Sequence, residues 1–127
     1  MDLYWVSEFK VGNEWVDLQH RYFLDLITRI EKNLRETTND DYKRKLIIEL
    51  HKYADFHFAS EENIATSCGI SGVKNHHQLH LQLLEELNHY AENLDSGLKT
   101  IDEFIEFITD WFLVHTQHED RQLFKLN

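Results

Sequence analysis

Apolar residues recur at alternating intervals of three and four through most of this chain, and the first such stripe begins at Val16. Spacing of this kind places its residues on one face of an α-helix. The stripe consists of Val16, His20, Phe23, Ile27, Ile30 and Leu34. Before it, the apolar residues follow no helical period, and Gly12–Asn13 is typical of a turn. We therefore predict an irregular N-terminal arm over residues 1–16, followed by a helix.

Three further stripes follow the first. The second helix is predicted from about Asp41 to Ser67, and glycine-containing segments around Gly69 and Gly97 separate the later stripes. In chain order, the stripes are Leu46, Leu50, Tyr53, His57, Glu61 and Ile64; Val73, His76, His80, Leu83, Leu87, Tyr90 and Leu94; and Ile101, Phe104, Ile108, Trp111 and His115. Four helices of about 20 residues with short connections predict an all-α fold, an antiparallel up-down-up-down four-helix bundle. We expect one domain over residues 1–127, with the bundle over residues 17–127.

The composition of the chain narrows the range of partners. Its 127 residues include 13 Lys and Arg against 23 Asp and Glu, so the net charge is −10. This balance argues against a nucleic-acid binder and against electrostatic binding to anionic membranes. No apolar run is long enough to span a bilayer, no signal-peptide pattern is visible, and the single Cys68 excludes an intrachain disulfide. We expect a cytoplasmic protein that binds neither nucleic acid nor a membrane.

Several polar residues occupy positions on the predicted apolar faces. A buried carboxylate is costly unless it is paired or bound to a metal, and buried imidazoles need partners. A lone histidine on such a face is typically a hydrogen-bonded core residue, but five histidines and a glutamate on four helices indicate a metal site. The residues in question are His20, His57, Glu61, His76, His80 and His115.

The spacing within this set supports the same interpretation. His57 and Glu61 are four residues apart, and so are His76 and His80, so each pair lies side by side on one helix face. Imidazole and carboxylate ligands together suit iron, zinc or manganese. His77 lies beside its stripe rather than on it, and we expect it on a solvated face.

In these motifs the sequence resembles the hemerythrins, especially the single-domain bacterial members. The stretches that carry the resemblance are WVSEFKVG from Trp5, DLQHRYF with His20, HFASEE with His57 and Glu61, HHQLH with His76 and His80, and WFLVHTQHED with His115 and Asp120. The resemblance implies a non-haem site of two iron ions with a bridging oxo or hydroxo group and dioxygen as the ligand. It implies that His76, His80 and His115 bind one iron, that His20 and His57 bind the other, and that Glu61 and Asp120 bridge the two.

Asp120 is the implied ligand that periodicity alone does not select. It lies five residues after His115, about 140° around an ideal helix. Glu119, four residues after His115, faces the stripe better and is the alternative. The family pattern has a spacing of five, which favours Asp120. That choice predicts a local widening of the helix, such as a π-bulge.

The implied ligand set leaves one iron position open, on the iron with two histidines, and dioxygen would enter there. We expect an apolar pocket at this position, lined by Phe23, Phe58, Trp111 and Phe112. Two residues depart from the usual pattern of the family. Phe112 stands where relatives commonly have leucine, and Thr116 stands where they commonly have isoleucine. Both are expected beside the oxygen site.

The resemblance implies a protein that binds oxygen reversibly for storage, delivery or sensing, and that is not an enzyme. A histidine-rich shell, unlike the carboxylate-rich shell of ferritin-like di-iron enzymes, favours this interpretation. One alternative is a di-iron redox enzyme acting on peroxide or nitric oxide. Another is a signalling module that responds to iron or oxygen through a separate protein partner. A structural zinc site is a further alternative.

Overall fold

The computed structural model describes residues 10–97 and 100–125 of the chain, and these residues form helices and short connections without any strand. The helices are α1 (Glu14–Glu36), α2 (Asp40–Ser67), α3 (Val73–Asp95) and α4 (Ile101–Val114), after which the chain continues as a π-helical segment (His115–Asp120) and a short α5 (Arg121–Lys125). The helices pack against each other as a bundle, which confirms the predicted all-α architecture.

Contacts between neighbouring helices show that they run antiparallel. Gln19, near the start of α1, donates a hydrogen bond to Ser60 near the end of α2, at 2.8 Å. Arg29, further along α1, pairs with Glu49, which comes earlier in α2. Both α1 and α3 show the same reversed order against α4 and the π-helical segment that continues it. The pairs are Arg35–Asp102 and His20–Asp120 for α1, and Tyr90–Phe107 and His76–Asp120 for α3.

The first helix begins earlier than predicted. Asn13 caps α1, because its side-chain oxygen accepts hydrogen bonds from the backbone N–H groups of Trp15 and Val16, at 3.0 and 3.2 Å. This cap satisfies donors that are otherwise free in the first helical turn. The prediction of an irregular arm up to residue 16 was therefore wrong for residues 14–16. Residues 1–9 of that arm lie outside the described residues.

The predicted stripes differ in how deeply they are buried. Every member of the α1 stripe is buried, from Val16 to Leu34. The α3 stripe is buried less evenly, since Leu87 is fully buried whereas Leu83, Tyr90 and Leu94 are only partly covered. The outer part of the α3 face borders a surface groove against α4.

A small second apolar cluster lies at the end of the bundle where α2 ends. Ala65 and Ile70 contact Leu123 of α5 there, and Val73 and Phe124 pack against them. This contact attaches the last turn of the chain to the connection between α2 and α3. No helix within the described residues has the length and apolar character needed to cross a membrane.

Candidate metal centre

The structure places all seven predicted ligands together in the core as two adjoining clusters. One contains Glu61, His76, His80, His115 and Asp120, and the other contains His20, His57, Glu61 and Asp120. Within each cluster, the candidate donor atoms all lie within 4.8 Å of one another. The seven side chains come from four parts of the chain, and all are buried: His20 from α1, His57 and Glu61 from α2, His76 and His80 from α3, and His115 and Asp120 from the π-helical segment.

The two carboxylates belong to both clusters, with one oxygen turned toward each. Glu61 Oε1 lies 2.7 Å from His76 Nε2, while Glu61 Oε2 lies 3.4 Å from His20 Nε2 and from His57 Nε2. Asp120 Oδ1 lies 2.8 Å from His115 Nε2, while Asp120 Oδ2 lies 2.9 Å from His20 Nε2. Each carboxylate can therefore bridge two cations, one in each cluster.

Orphaned polar atoms provide a test of whether cations fit. Nε2 of His20 and His57, Oε2 of Glu61 and Oδ2 of Asp120 are buried, and within the described structure none of them has a hydrogen-bond partner. They approach one another closely but not along hydrogen-bonding directions. Buried polar atoms without partners are costly, and a cation among them would remove that cost. The second cluster therefore fits a metal ion.

The spacing of donor atoms indicates which coordination geometry fits. Bonds of about 2.1 Å put neighbouring ligand atoms about 3.0 Å apart in an octahedron and about 3.4 Å apart in a tetrahedron. In the first cluster, the close pairs are separated by 2.7 Å for His76–Glu61 up to 3.3 Å for His80–Glu61, and all donor atoms lie within 4.8 Å of one another. Five donors also exceed the four of a structural zinc site. This cluster fits a six-coordinate first-row metal better than tetrahedral zinc.

The π-helical segment explains how Asp120 reaches the cluster. Hydrogen bonding from residue i to residue i+5 accommodates one extra residue in the turn, so a spacing of five acts like a spacing of four. His115 and Asp120 then share a face. Asp120 is fully buried, whereas Glu119 is partly exposed and lines the groove between α3 and α4. The predicted widening is present, and it turns Asp120 rather than Glu119 into the core.

Comparison with known proteins finds relatives that match most of the chain. No family model matches the chain. It is 29% identical over 124 residues to a bacteriohemerythrin of Clostridium acetobutylicum, covering 93% of this chain and 95% of that protein. The chain is thus similar to a hemerythrin-named protein over most of its length. It is also 26% identical to a hemerythrin-like protein of Naegleria gruberi and 22% identical to the myohemerythrin of Riftia pachyptila, covering 91% of this chain and 86% of the relative in both cases.

Glu62 orients a histidine of the first cluster. Its Oε2 lies 2.7 Å from Nδ1 of His80, and its Oε1 lies 2.6 Å from Nδ1 of His77. A carboxylate that accepts from Nδ1 holds the ring so that Nε2 faces the metal, and it increases the basicity of the ligand. The sequence analysis missed Glu62, although its position directly after Glu61 was a usable signal. His77 is partly exposed, as predicted.

Gln19 has the corresponding role in the second cluster. Its Oε1 lies 2.8 Å from Nδ1 of His57, and its Nε2 donates to the Ser60 hydroxyl at 2.8 Å. The Tyr53 hydroxyl donates to the backbone carbonyl of Gln19, also at 2.8 Å. These bonds hold the amide between α1 and α2 and fix the orientation of the His57 ring. Sequence periodicity gave no indication of Gln19.

The cluster combines anionic carboxylates with protonated imidazoles. Although burial lowers both values, Asp120 and Glu61 raise the pKa of His20 to about 9 and that of His76 to about 10, so a metal that binds there must displace those protons. Burial opposes ionisation of Glu61, but the surrounding histidines outweigh it and hold its pKa well below the usual range. Asp120 has a lowered pKa in spite of burial and the nearby Glu61 charge, because His115 and His20 stabilise its ionised form. Burial lowers the pKa of His57 and so favours the neutral imidazole, the form that binds metals. The two shared carboxylates are therefore ionised at neutral pH.

Four of the five predicted pocket residues surround the clusters. The Phe58 ring stacks on His80, with centroids 4.0 Å apart, and Phe23 and Phe112 contact His57 and His20 at 5.9 and 6.2 Å. Trp111 packs against both Phe23 and Phe58, and its indole N–H donates to the backbone carbonyl of Leu83. The side chain of Thr116 lies outside the described residues. Binding of oxygen by any of these residues stays a prediction.

A pair of adjacent substitutions tests the choice between the two candidate carboxylates. Asp120→Asn removes the charge of a residue in both clusters, so Fe²⁺ bound per chain should fall from two ions to one or none. Glu119→Gln should retain two, because Glu119 faces the groove. Anaerobic loading, removal of excess iron and metal analysis give the stoichiometry. Equal losses in both variants would contradict the assignment of Asp120.

A set of three variants tests the support that Glu62 gives to His80. Glu62→Ala should weaken Fe²⁺ binding by about 10–100-fold, as for other carboxylates behind a ligating histidine. Glu62→Gln should recover part of the loss, since its amide oxygen can still accept from Nδ1. His77→Ala is the control, because His77 contacts the same carboxylate outside the clusters. Chelator competition measures the affinities, and a loss in His77→Ala as large as that in Glu62→Ala would overturn the role.

Proposed function

We propose that this chain binds two iron ions in the paired clusters and uses them to bind dioxygen reversibly, for oxygen storage, delivery or sensing. The observation that carries the proposal is the sharing of Glu61 and Asp120 between two buried clusters of unequal size. Three histidines complete one cluster and two complete the other. Similarity to proteins named bacteriohemerythrin and myohemerythrin supports iron as the metal and oxygen as the ligand.

The iron pair, when bound, supplies reversible electron donation to dioxygen. The role of the protein is to hold the two ions close together and to make them different. His76, His80 and His115, with the shared carboxylates, give the first cluster five donors. The second cluster has one donor fewer, so an ion held there by His20 and His57 would keep one more coordination position for an exogenous ligand. An open position of this kind distinguishes reactive metal sites from closed structural ones.

Aromatic side chains control access to this open side. The rings of Phe23 and Phe112 pack against each other with centroids 5.5 Å apart, and each also lies edge-on to a histidine of the second cluster. Both are almost completely buried. They exclude water and offer no proton donor to the open position. A dry surrounding of this kind hinders proton leakage and loss of a reactive ligand.

The donor set also favours binding over oxidation chemistry. Five neutral imidazoles and two carboxylates supply less negative charge than the carboxylate-rich shell of ferritin-like di-iron enzymes. Fewer anionic ligands stabilise highly oxidised iron less strongly. We therefore favour an oxygen-binding protein over a di-iron redox enzyme.

The experiment that tests this function starts from protein loaded anaerobically with two Fe²⁺ per chain. Oxygen is added, the visible spectrum is recorded, and the oxygen is then removed. A new absorption band that appears with oxygen and fades on its removal over repeated cycles is the expected result. The Asp120→Asn variant is the matched control and should show no reversible band.

Two outcomes would contradict reversible binding. One is a spectrum that changes once and does not return when oxygen is removed. The other is rapid, sustained consumption of added peroxide by the iron-loaded protein, which would support the enzyme alternative instead. Protein that retains zinc and no iron when purified from its native host would contradict the choice of metal.

Phe112 provides a prediction about oxygen affinity. Phe112→Leu removes ring atoms beside His20 and should give the ligand more space, so oxygen binding should become severalfold tighter. Phe104→Leu makes the same change at a core position that is also fully buried, and it should leave the oxygen affinity unchanged. Oxygen titration of the iron-loaded variants measures both. Unchanged or weaker binding in Phe112→Leu would show that this ring does not limit the space.

A further inference from the structure

A groove of about 500 Å³ runs along the surface between α3 and α4 and reaches the metal centre. Apolar side chains form much of its lining, among them Tyr90, Phe107, Trp111 and Val114. The rings of Tyr90 and Phe107 stack with centroids 3.9 Å apart, and Val114 is 60% exposed. The groove thus offers a flat aromatic surface and an open aliphatic one side by side. Aromatic residues of this kind are the usual anchors of protein interfaces.

The charge of the groove is of one sign. Five acidic residues line it and no lysine or arginine does, and its exposed carboxylates include Glu86, Glu106 and Asp110. Two other surface grooves with charged linings are balanced. One combines Asp40 and Glu92 with Lys43 and Arg44, and the other combines Glu14 and Asp17 with Lys10 and Arg21. The single sign is therefore a property of the α3–α4 groove and not of every groove on this acidic chain.

The groove also touches a residue of the metal centre. His115 lines it, and Nε2 of His115 lies 2.8 Å from Asp120 Oδ1 in the first cluster. Trp111 lines it as well and packs against Phe58, which stacks on His80. Only the imidazole ring of His115 would thus separate an occupant of the groove from the other donors of the first cluster.

We propose that this groove is the docking site for a partner protein that presents an apolar side chain flanked by lysines or arginines. The apolar lining would bury the apolar side chain, and the surrounding carboxylates would pair with the basic flanks. Charge complementarity of this kind raises association rates and selects partners. A hydrated cation would gain nothing from the aromatic lining, and a second copy of this chain would add carboxylates of the same sign. Because His115 lines the groove, a docked partner would lie against a ligand of the proposed iron site. This link between docking and the metal rests on the proposed function.

The test uses iron-loaded protein and a fluorescein-labelled helical peptide with leucines along one face and lysines on both flanks. Fluorescence anisotropy at low salt measures its binding. The double variant Glu106→Gln/Asp110→Asn should weaken binding about fivefold, the effect of losing two exposed ion pairs. Asp25→Asn/Glu36→Gln is the matched control, because it removes the same net charge from exposed positions of α1. That control should change binding little.

Val114→Glu separates docking of a protein segment from simple attraction of positive charge. It adds a carboxylate to the groove while removing exposed apolar surface. The proposal predicts weaker peptide binding, whereas attraction of charge alone predicts tighter binding. Tighter binding would overturn the proposal in favour of a cation site. Displacement of the peptide by millimolar Mg²⁺ that does not depend on the peptide's leucines would do the same.

Two further outcomes would also overturn docking in this groove. They are equal losses in the groove variant and the control variant, and no binding of the peptide by the unaltered protein. Iron content and the response to oxygen are recorded for every variant. Normal iron loading without groove-dependent binding rejects the docking surface alone. Failure to load iron rejects the proposed function. The peptide measurement then decides only whether the groove binds a protein segment.

Discussion

Two ionised carboxylates in the centre of the bundle determine which side chains and which helix ends must meet there. Burying an ion costs several kcal/mol even after relaxation, so Glu61 and Asp120 require close partners of opposite charge. Five histidines surround them, and the helices that carry those histidines must meet at one level of the bundle. The antiparallel arrangement satisfies this, because it brings the start of α1, the end of α2, the start of α3 and the end of α4 together.

The orienting residues extend the same constraint outward. A histidine that presents Nε2 to the interior leaves Nδ1 for another partner, and Gln19 and Glu62 provide it for His57 and His80. Gln19 is itself held by Tyr53 and Ser60. The metal centre is thus supported by hydrogen bonds between helices on its α1–α2 side. On its α3–α4 side, the packing is more open, and the acidic groove lies there.

The sequence predicted the elements and the polar residues that meet in the core, because both follow from periodicity and motif order. Residues such as Phe23 and Ile27 recur at helical intervals, and His57 and Glu61 share a face for the same reason. What it missed depends on contacts between elements or on single caps. Asn13 moved the start of α1, and nothing in the stripe pattern encodes a side-chain oxygen that accepts from the backbone N–H groups two and three residues later. Gln19 could not be found from one helix alone, since its partners lie on α2. The uneven burial of α3 reflects how closely α4 approaches, which the stripe of α3 does not contain.

The small apolar cluster at the end of the chain has a consequence for how the ligand is chosen. Leu123 lies eight residues after His115, about 80° away from it around a regular α-helix. The π-helical segment takes up one extra residue, so the separation counts as seven residues of regular helix. Seven residues place Leu123 within about 20° of the face that carries His115. The contact of Leu123 with Ala65 and Ile70 therefore fits the widened helix and opposes the regular one. Burial of a leucine thus helps to decide which of two neighbouring acids points inward. That selection comes from packing between residues that are not themselves candidate ligands.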